Sequence, residues 1–386
     1  MAGLRTCSVC GSDALVAVLE LPGLPLTGLY FEARDPAHCG IDQGLDICDE
    51  CGHGQLRHIV DPRIVYADSY AHRSTASPIA MAGNDFFAEF LTEIAAGATF
   101  ERIVEIGCND LYLLNKIAPL GKSLHGIDPI WRGRAAPPGG TINTVGKFIE
   151  DVDFSGDIGG APDLVVAAHC FEHIDDIAAQ LGRLLDAAAD DALFVVEVPG
   201  FESLLRLCRF DQVFHQHIHY FSLASFRRLL RRLGAAYLTH RFNYRYWGGT
   251  LLVAFRKAAK ADPACAAGPT PALVAARLKL FRLQLEQAAA LLDGANQPVF
   301  GFGAAQMLPV LAYHMHTDFN GLEAVLDDNA DRQGLYYPGL TPQIRAPQAD
   351  LAGAVAVITA LDSARPILAR LIALGARDIV LPLQVI

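Results

Sequence analysis

The strongest constraint on this chain lies near its start, where Cys7-Ser-Val-Cys10-Gly and Cys48-Asp-Glu-Cys51-Gly repeat one five-residue pattern. Two Cys-x-x-Cys knuckles supply four thiolates, the set that closes a tetrahedral zinc site, and the glycine after each pair suits the tight turn that aims backbone amides at sulfur. The stretch that carries them, about 1–60, is interrupted by Pro22, Gly23, Pro25, Gly28, Pro36, Gly40 and Gly44, leaving short strand-like runs at 14–20 and 45–48. Such a segment buries too little apolar area to hold itself together, so a metal clip between its ends is expected. With four thiolates the site has no open position and the zinc is structural. His38 and Cys39 match no paired spacing and are expected to stay out of it.

The chain has 386 residues, of which 52% are hydrophobic and 19% charged, enough for two or three domains with cores of their own. Its formal charge is -11, with no basic tract to neutralise phosphates, which argues against nucleic acid as a partner. No apolar run reaches the roughly 18 residues of a membrane span, and the start lacks a signal-type apolar stretch, so a cytoplasmic protein without membrane contact is expected. An amphipathic helix at 86–96 leads into strand patterns at 102–107, 124–128, 163–169 and 193–198, with helical stretches at 114–120 and 177–188 between them. Continuously apolar strands alternating with helices predict a parallel sheet covered on both faces. A linker rich in Ala, Pro and Gly at 259–271 precedes a long helix at 272–295. A second, smaller α/β unit of Rossmann type then follows, with strands at 298–303, 322–328, 354–360 and 378–383. The expected division is 1–70, 71–258 and 272–386.

Three further stretches carry chemistry. Val-Glu105-Ile-Gly107-Cys-Asn109-Asp110 ends a strand in a turn, and Asp128 ends the next strand 23 residues after Glu105. This places a backbone turn and an acid against a nucleoside-like ligand. A dinucleotide would want Gly-x-Gly-x-x-Gly, whereas S-adenosylmethionine (SAM) has no pyrophosphate and needs no full phosphate cradle. Next, Phe214-His215-Gln216-His217-Ile-His219-Tyr220 alternates three histidines, which an extended segment would put on one face, suiting metal or proton transfer. Histidine is a natural base at neutral pH for a carbon-bound proton beside a carbonyl. Last, Gly301-Phe-Gly303-Ala304-Ala is a Gly-rich turn at a strand end, with Asp327 and Asn329 closing the following strand. It suits a nucleotide handle on a substrate.

The order of these motifs resembles that of the zinc-containing, SAM-dependent C-methyltransferases of nucleotide-activated (dTDP-linked) ketosugars, over nearly the whole chain. The resemblance implies an N-terminal zinc-binding module, a central class I SAM-methyltransferase domain and a C-terminal Rossmann-like nucleotide-sugar domain. It implies SAM held by Tyr70, Ser74, Glu105, Gly107, Asn109, Asp110, Asp128, Pro129 and His169, with 70–77 closing over it. It implies His217 as the base that forms an enolate, with His215, Gln216 and His219 assisting. Phe214, Tyr220, Trp247, Gly303, Ala304, Asp327, Asn329 and Tyr337 would meet the substrate, and Cys7, Cys10, Cys48 and Cys51 the zinc. The chain departs from the family where Phe214 and Gln216 replace a tyrosine and a glutamate, His169 an asparagine, Leu111 a glycine and His72 a tyrosine. The activity implied is C-methylation beside the ketone of a deoxy-ketosugar, in unusual-sugar or antibiotic biosynthesis, by a monomer or homodimer. The alternatives are an O- or N-methyltransferase, a non-catalytic binding protein, and an NAD-dependent oxidoreductase, the last disfavoured by the single short glycine turn.

Overall fold

The computed structural model describes residues 2–3, 6–61, 73–134, 141–245, 248–257, 267–347 and 351–384. Tyr70, His72 and Trp247, and most of the 259–271 linker, lie outside these residues. Near the N-terminus β1 (Leu15–Leu24), β2 (Ile41–Cys48) and β3 (Gly54–Leu56) form an antiparallel meander. Helix α1 (Pro78–Ala95) starts earlier than its apolar periodicity suggests, because Ser77 accepts a hydrogen bond from the Ala80 amide and Pro78 takes the first helical position.

The alternating region follows as β4 (Phe100–Ile106), α2 (Tyr112–Ile117), β5 (Gly121–Ile127), β6 (Ile142–Val145), β7 (Leu164–Ala168), α3 (Ile177–Ala187) and β8 (Leu193–Pro199). After it come α4 (Phe201–Leu207), β9 (His219–Tyr220), α5 (Leu223–Arg232), β10 (Ala235–Asn243) and β11 (Thr250–Lys257). Seven strands form one sheet in the order β10-β11-β8-β7-β4-β5-β6. It is not wholly parallel as expected: β11 runs antiparallel to both β8 and β10. The connection from β10 to β11 is only a few residues long, and a connection that short reverses the chain rather than crossing over. Strand order reverses between β4 and β7, the switch point at which open α/β sheets bind ligands.

The last part contains α6 (Pro271–Asp293), β12 (Val299–Phe302), α7 (Leu308–His314), β13 (Val325–Leu326), β14 (Ile344–Arg345), β15 (Val355–Ile358), α8 (Ala364–Ala373) and β16 (Asp378–Val380). Its five strands are all parallel, in the order β14-β13-β12-β15-β16.

The N-terminal meander is completed from far along the chain. β9 pairs antiparallel with β3, His219 opposite Gln55 and Tyr220 opposite Gly54, making a fourth strand. One buried apolar cluster then runs from Leu19, Leu45 and Leu56 through Phe210, Phe214 and Tyr220 to Phe281 of α6 and Tyr337. A second packs Cys7, Cys48 and Cys51 against the large sheet with Val104, Val165 and Phe226. The N-terminal module is thus docked on its apolar sides rather than tethered at one end.

Candidate functional site

The four knuckle cysteines converge. Cys7 Sγ lies 3.6 Å from Cys51 Sγ and Cys10 Sγ 3.5 Å from Cys48 Sγ, each contact crossing from one knuckle to the other. All four sulfurs lie within 4.8 Å of one another. A tetrahedral zinc with Zn–S bonds of about 2.3 Å has S···S edges of about 3.8 Å, so the donor set and its spacing fit that ion. The knuckles are closed alike: the Gly11 amide donates to the Cys7 carbonyl and the Gly52 amide to the Cys48 carbonyl, each at 2.8 Å. Gly52 has φ +70, and a Cβ there would stand 2.6 Å from Pro269 N and 2.7 Å from the Gly268 carbonyl carbon.

At the switch point of the large sheet, β4 delivers Glu105 and then Gly107, at φ +72. A Cβ on Gly107 would stand 3.0 Å from the side chain of Cys170, just beyond β7. Asn109 and Leu111 also take positive φ, 42 and 69 degrees, which folds the turn tightly in front of α2. Asp128 after β5 organises that turn: its carboxylate accepts from the Asn109 amide at 2.9 Å and from the Ile130 amide at 3.0 Å. The Trp131 indole donates to the Asn109 carbonyl at 2.8 Å, and Pro129 opens the short helical turn that carries it. Glu105 is buried, and burial together with the charge of Asp128 holds its carboxyl well above the usual range. Asn109 and Asp110 serve the turn at 74–76. The Asn109 side-chain oxygen accepts from the Ser74 amide, and Asp110 accepts from the Thr75 amide and hydroxyl at 2.8 and 2.7 Å. The described part of the segment expected to cover SAM, 74–76, is therefore held to this turn through its amides and the Thr75 hydroxyl.

Cys170 leads directly into the third cluster. The histidines at 215, 217 and 219 do not share a face, contrary to the alternation in the sequence. The chain turns at Phe214, where the His217 amide donates to the Phe214 carbonyl, and only 219–220 is extended. His215 faces the Ile41 carbonyl at 2.9 Å from Nε2. His219 donates from Nε2 to the Ile174 carbonyl at 2.8 Å, and its Nδ1 lies 3.2 Å from Nε2 of the buried His53. Burial lowers His219 to about 4. His217 lies beside the turn after β7, its ring 4.2 Å from Phe214 and 5.1 Å from His173 between centroids. Burial and the neighbouring His173 press it down to about 3, with Glu172 opposing them. Gln216 accepts from the Thr27 hydroxyl at 3.4 Å.

Two expected substrate contacts, Tyr220 and Tyr337, are buried, and others have partners within the chain. Tyr220 is 2% exposed, and its hydroxyl accepts from the Phe214 amide at 3.3 Å and donates to the Gln212 carbonyl at 3.4 Å, which fixes the turn around Phe214. Tyr337 is equally buried and donates to the Ala305 carbonyl. Gly303 is explained by packing: at φ +99 its Cβ would stand 2.4 Å from Ala360 Cβ. Asp327 accepts from the Ala304 amide and from the Asn329 amide, and Asn329 in turn caps the turn at 330–332. A cleft lined by Arg209, Gln212, Ala305, Met307, Thr359 and Asp362 opens where β12 and β15 end. Beneath it the buried Arg209 forms a bidentate pair with Asp211 at 2.8 Å and meets Asp362 at 3.1 Å.

Sequence reasoning passed over Glu172, His173 and His53. The first two were within reach, since His169-Cys-Phe-Glu-His173 stands at the end of a continuously apolar strand. His53 becomes significant only through the pairing of β9 with β3.

Residues 80–240 match the family model described as "Methyltransferase domain", and 7–66 match the one described as "Putative zinc binding domain". Among curated proteins the chain is 30% identical over 237 residues to the C-methyltransferase NovU of Streptomyces niveus, covering 59% of this chain and 55% of that one. The chain thus spans just over half the length of that relative. Among solved structures, the N-methyltransferase NodS of Bradyrhizobium japonicum WM9 is 17% identical with a TM-score of 0.36, covering 46% of this chain and 96% of NodS. The YcgJ protein of Bacillus subtilis is 11% identical with a TM-score of 0.36, covering 45% of this chain and 99% of that one. The zinc motif, the sheet order and the two matched models together make this a chain in which a structural zinc module precedes a SAM-dependent methyltransferase domain of the class I fold.

Proposed function

We propose that the chain is a C-methyltransferase that acts on the carbon beside the ketone of a nucleotide-activated deoxy-ketosugar, with His217 as the base. The observation that carries this reading is the place of His217. Its ring packs beside His173 and within reach of Glu172 on the turn that follows β7 at the switch point, and Cys170 of that turn meets Gly107. The name of NovU and the order of motifs support carbon as the acceptor. SAM, when bound, supplies an electrophilic methyl group on a sulfonium. Glu105, Gly107 and Asp128 would hold it, the lone pairs of Asp128 left beside its two amide contacts suiting ribose hydroxyls.

The chain's own residues then have three tasks. Burial keeps His217 neutral at pH 7, so its lone pair is available for the proton of the acidic carbon. As that proton moves to the ring, the C–H electron pair becomes the C=C bond of an enolate and the ketone electrons move to oxygen. The enolate carbon would then be the nucleophile for the SAM methyl group, whose bond to sulfur would break as the C–C bond formed, leaving the proton on His217. The cleft at the ends of β12 and β15 is also a switch point, and under this reading it receives the nucleotide.

The test is incubation with SAM and paired 4-keto and reduced nucleotide sugars in deuterated water. Deuterium uptake at the carbon beside the ketone, and a gain of one methylene mass only on ketosugars, are expected, both lost in His217→Ala. Methyl gain on the reduced sugars would instead establish an oxygen or nitrogen acceptor. Binding of SAM without turnover on any acceptor would leave a binding protein.

A further inference from the structure

The carboxylate that the family places at position 216 is absent, since Gln216 cannot ionise. The structure puts another carboxylate beside the base from a different element. We propose that Glu172, on the turn after β7, is the positioning carboxylate of His217, holding at the site the positive charge that proton abstraction delivers to the imidazole. This rests on the reading of His217 as the base.

The geometry is specific. Glu172 is fully buried, and among the described residues neither of its oxygens has a hydrogen-bond donor in good alignment. It is met by imidazoles: His169 Nδ1 at 3.3 Å and His173 Nε2 at 3.8 Å from the same oxygen. A Glu172 oxygen, a ring nitrogen of His173 and one of His217 all lie within 4.8 Å of one another. His173 Nδ1 lies 2.6 Å from the Gln216 carbonyl. A carbonyl only accepts, so that nitrogen carries hydrogen. A proton on any of the imidazoles around Glu172 would therefore be held by its carboxylate.

Among the described residues, the charges and polar groups facing Glu172 come from three elements. His169, Cys170 and His173 lie on its own segment, His217 and His219 on the segment at 214–220, and Glu197 on β8. Burial would raise the Glu172 carboxyl, but His173, His169 and His217 outweigh it and bring it to about 2. An ionised carboxylate at this depth requires a compensating charge. When His217 takes the substrate proton, that charge arises beside a carboxylate already in place, with no solvent reorganisation. The isolated ring, held low by burial, would be a poor base for a carbon acid, and Glu172 is what raises its basicity.

The test compares Glu172→Gln and Glu172→Asp with the wild-type protein. Nitrogen-15 NMR of the histidine side chains at pH 7 needs no substrate. It should show a neutral His217 and one cationic imidazole beside it on the turn after β7, the cation lost in Glu172→Gln. With ketosugar, proton exchange and methyl transfer should fall together by roughly 100-fold, the usual scale for a general base. The affinity for SAM should stay unchanged, and the acid limb of the exchange profile should move to lower pH. Glu172→Asp, which keeps the charge, should recover part of the rate and the cationic imidazole. Three neutral imidazoles in the wild-type protein, or an unaltered exchange profile in Glu172→Gln, would overturn the assignment. So would a second metal per chain that disappears in Glu172→Gln, because the cation would then be a metal. If the wild-type protein exchanges no proton on any ketosugar, the reading of His217 falls first, and this assignment with it. An unaffected exchange rate in the variant removes Glu172 alone.

Discussion

Tyr220 shows how a residue can satisfy a motif and still belong to the fold. Its hydroxyl has two backbone partners and no path to solvent, so Tyr220→Phe should cost about 1 kcal/mol of stability by leaving those partners unpaired. The KM for any acceptor should be unchanged, and chemical denaturation beside steady-state kinetics checks both. Gly52 is constrained twice, by its positive φ and by the Pro269 and Gly268 backbone against it. Gly52→Ala should therefore destabilise by about 2–3 kcal/mol, the scale of a strained backbone, and a calorimetric melting temperature near that of the wild-type protein would refute this. At this scale the sequence was legible where residue type alone settles the chemistry, as with the four cysteines, whose sulfurs converge. It misled where orientation decides: His215, His217 and His219 look equivalent in the chain, but the turn at Phe214 sends them to three different partners. Glu172 stayed hidden because its meaning comes from 217, which is distant in the sequence.

At the scale of elements, helices and strands followed their apolar periodicity, and most deviations fall where a cap or a turn outweighs it. α1 begins at Pro78 because of the Ser77 cap, and Pro119 ends α2 in a tighter turn at 118–120. The pairing of β9 with β3 had no sequence signal, being two residues long and made of residues that read as a site. That pairing links the zinc to the chemistry. Cys48 ends β2, β2 pairs with β3, and β3 pairs with the strand that follows His217 by one residue. Removing zinc with a chelator, or Cys48→Ser, should loosen amide protection at His219 and Tyr220 and reduce methyl transfer, although the metal takes no part in the reaction. Hydrogen exchange read by mass spectrometry checks this. Full protection at 219–220 in the metal-free protein would show that the module only adjoins the site.

For the whole molecule, the buried imidazoles set the response to acid. His53, His217, His219 and His314 are all lowered from their usual value by burial, His217 to about 3 and His219 and His314 to about 4. Each takes up a proton more readily unfolded, at about 6.5, than folded, so the native state is favoured above that pH and loses stability as pH falls toward each folded value. Each group contributes a slope of up to about 1.4 kcal/mol per pH unit in that window. Glu172, depressed in the folded state, adds its own loss only between about 4.5 and 2. Urea titrations at pH 7.5, 6 and 5 should therefore show a fall in midpoint, reduced by Glu105, whose raised carboxyl binds a proton more readily folded than unfolded. A midpoint flat to pH 5 would mean that these rings are charged in the native state.

The long reach of the β9 pairing also bears on how the chain is made. Gln55 leaves the ribosome 164 residues before His219, its partner in the sheet. Throughout that interval the edge of β3 is an open row of backbone donors and acceptors, the kind of surface on which nascent strands associate wrongly. Early zinc capture would order the knuckles but could not close that edge. Protection of the growing chain therefore falls to whatever holds it during synthesis, and a translational pause before residue 220 should be the point at which expression of this protein is most easily lost.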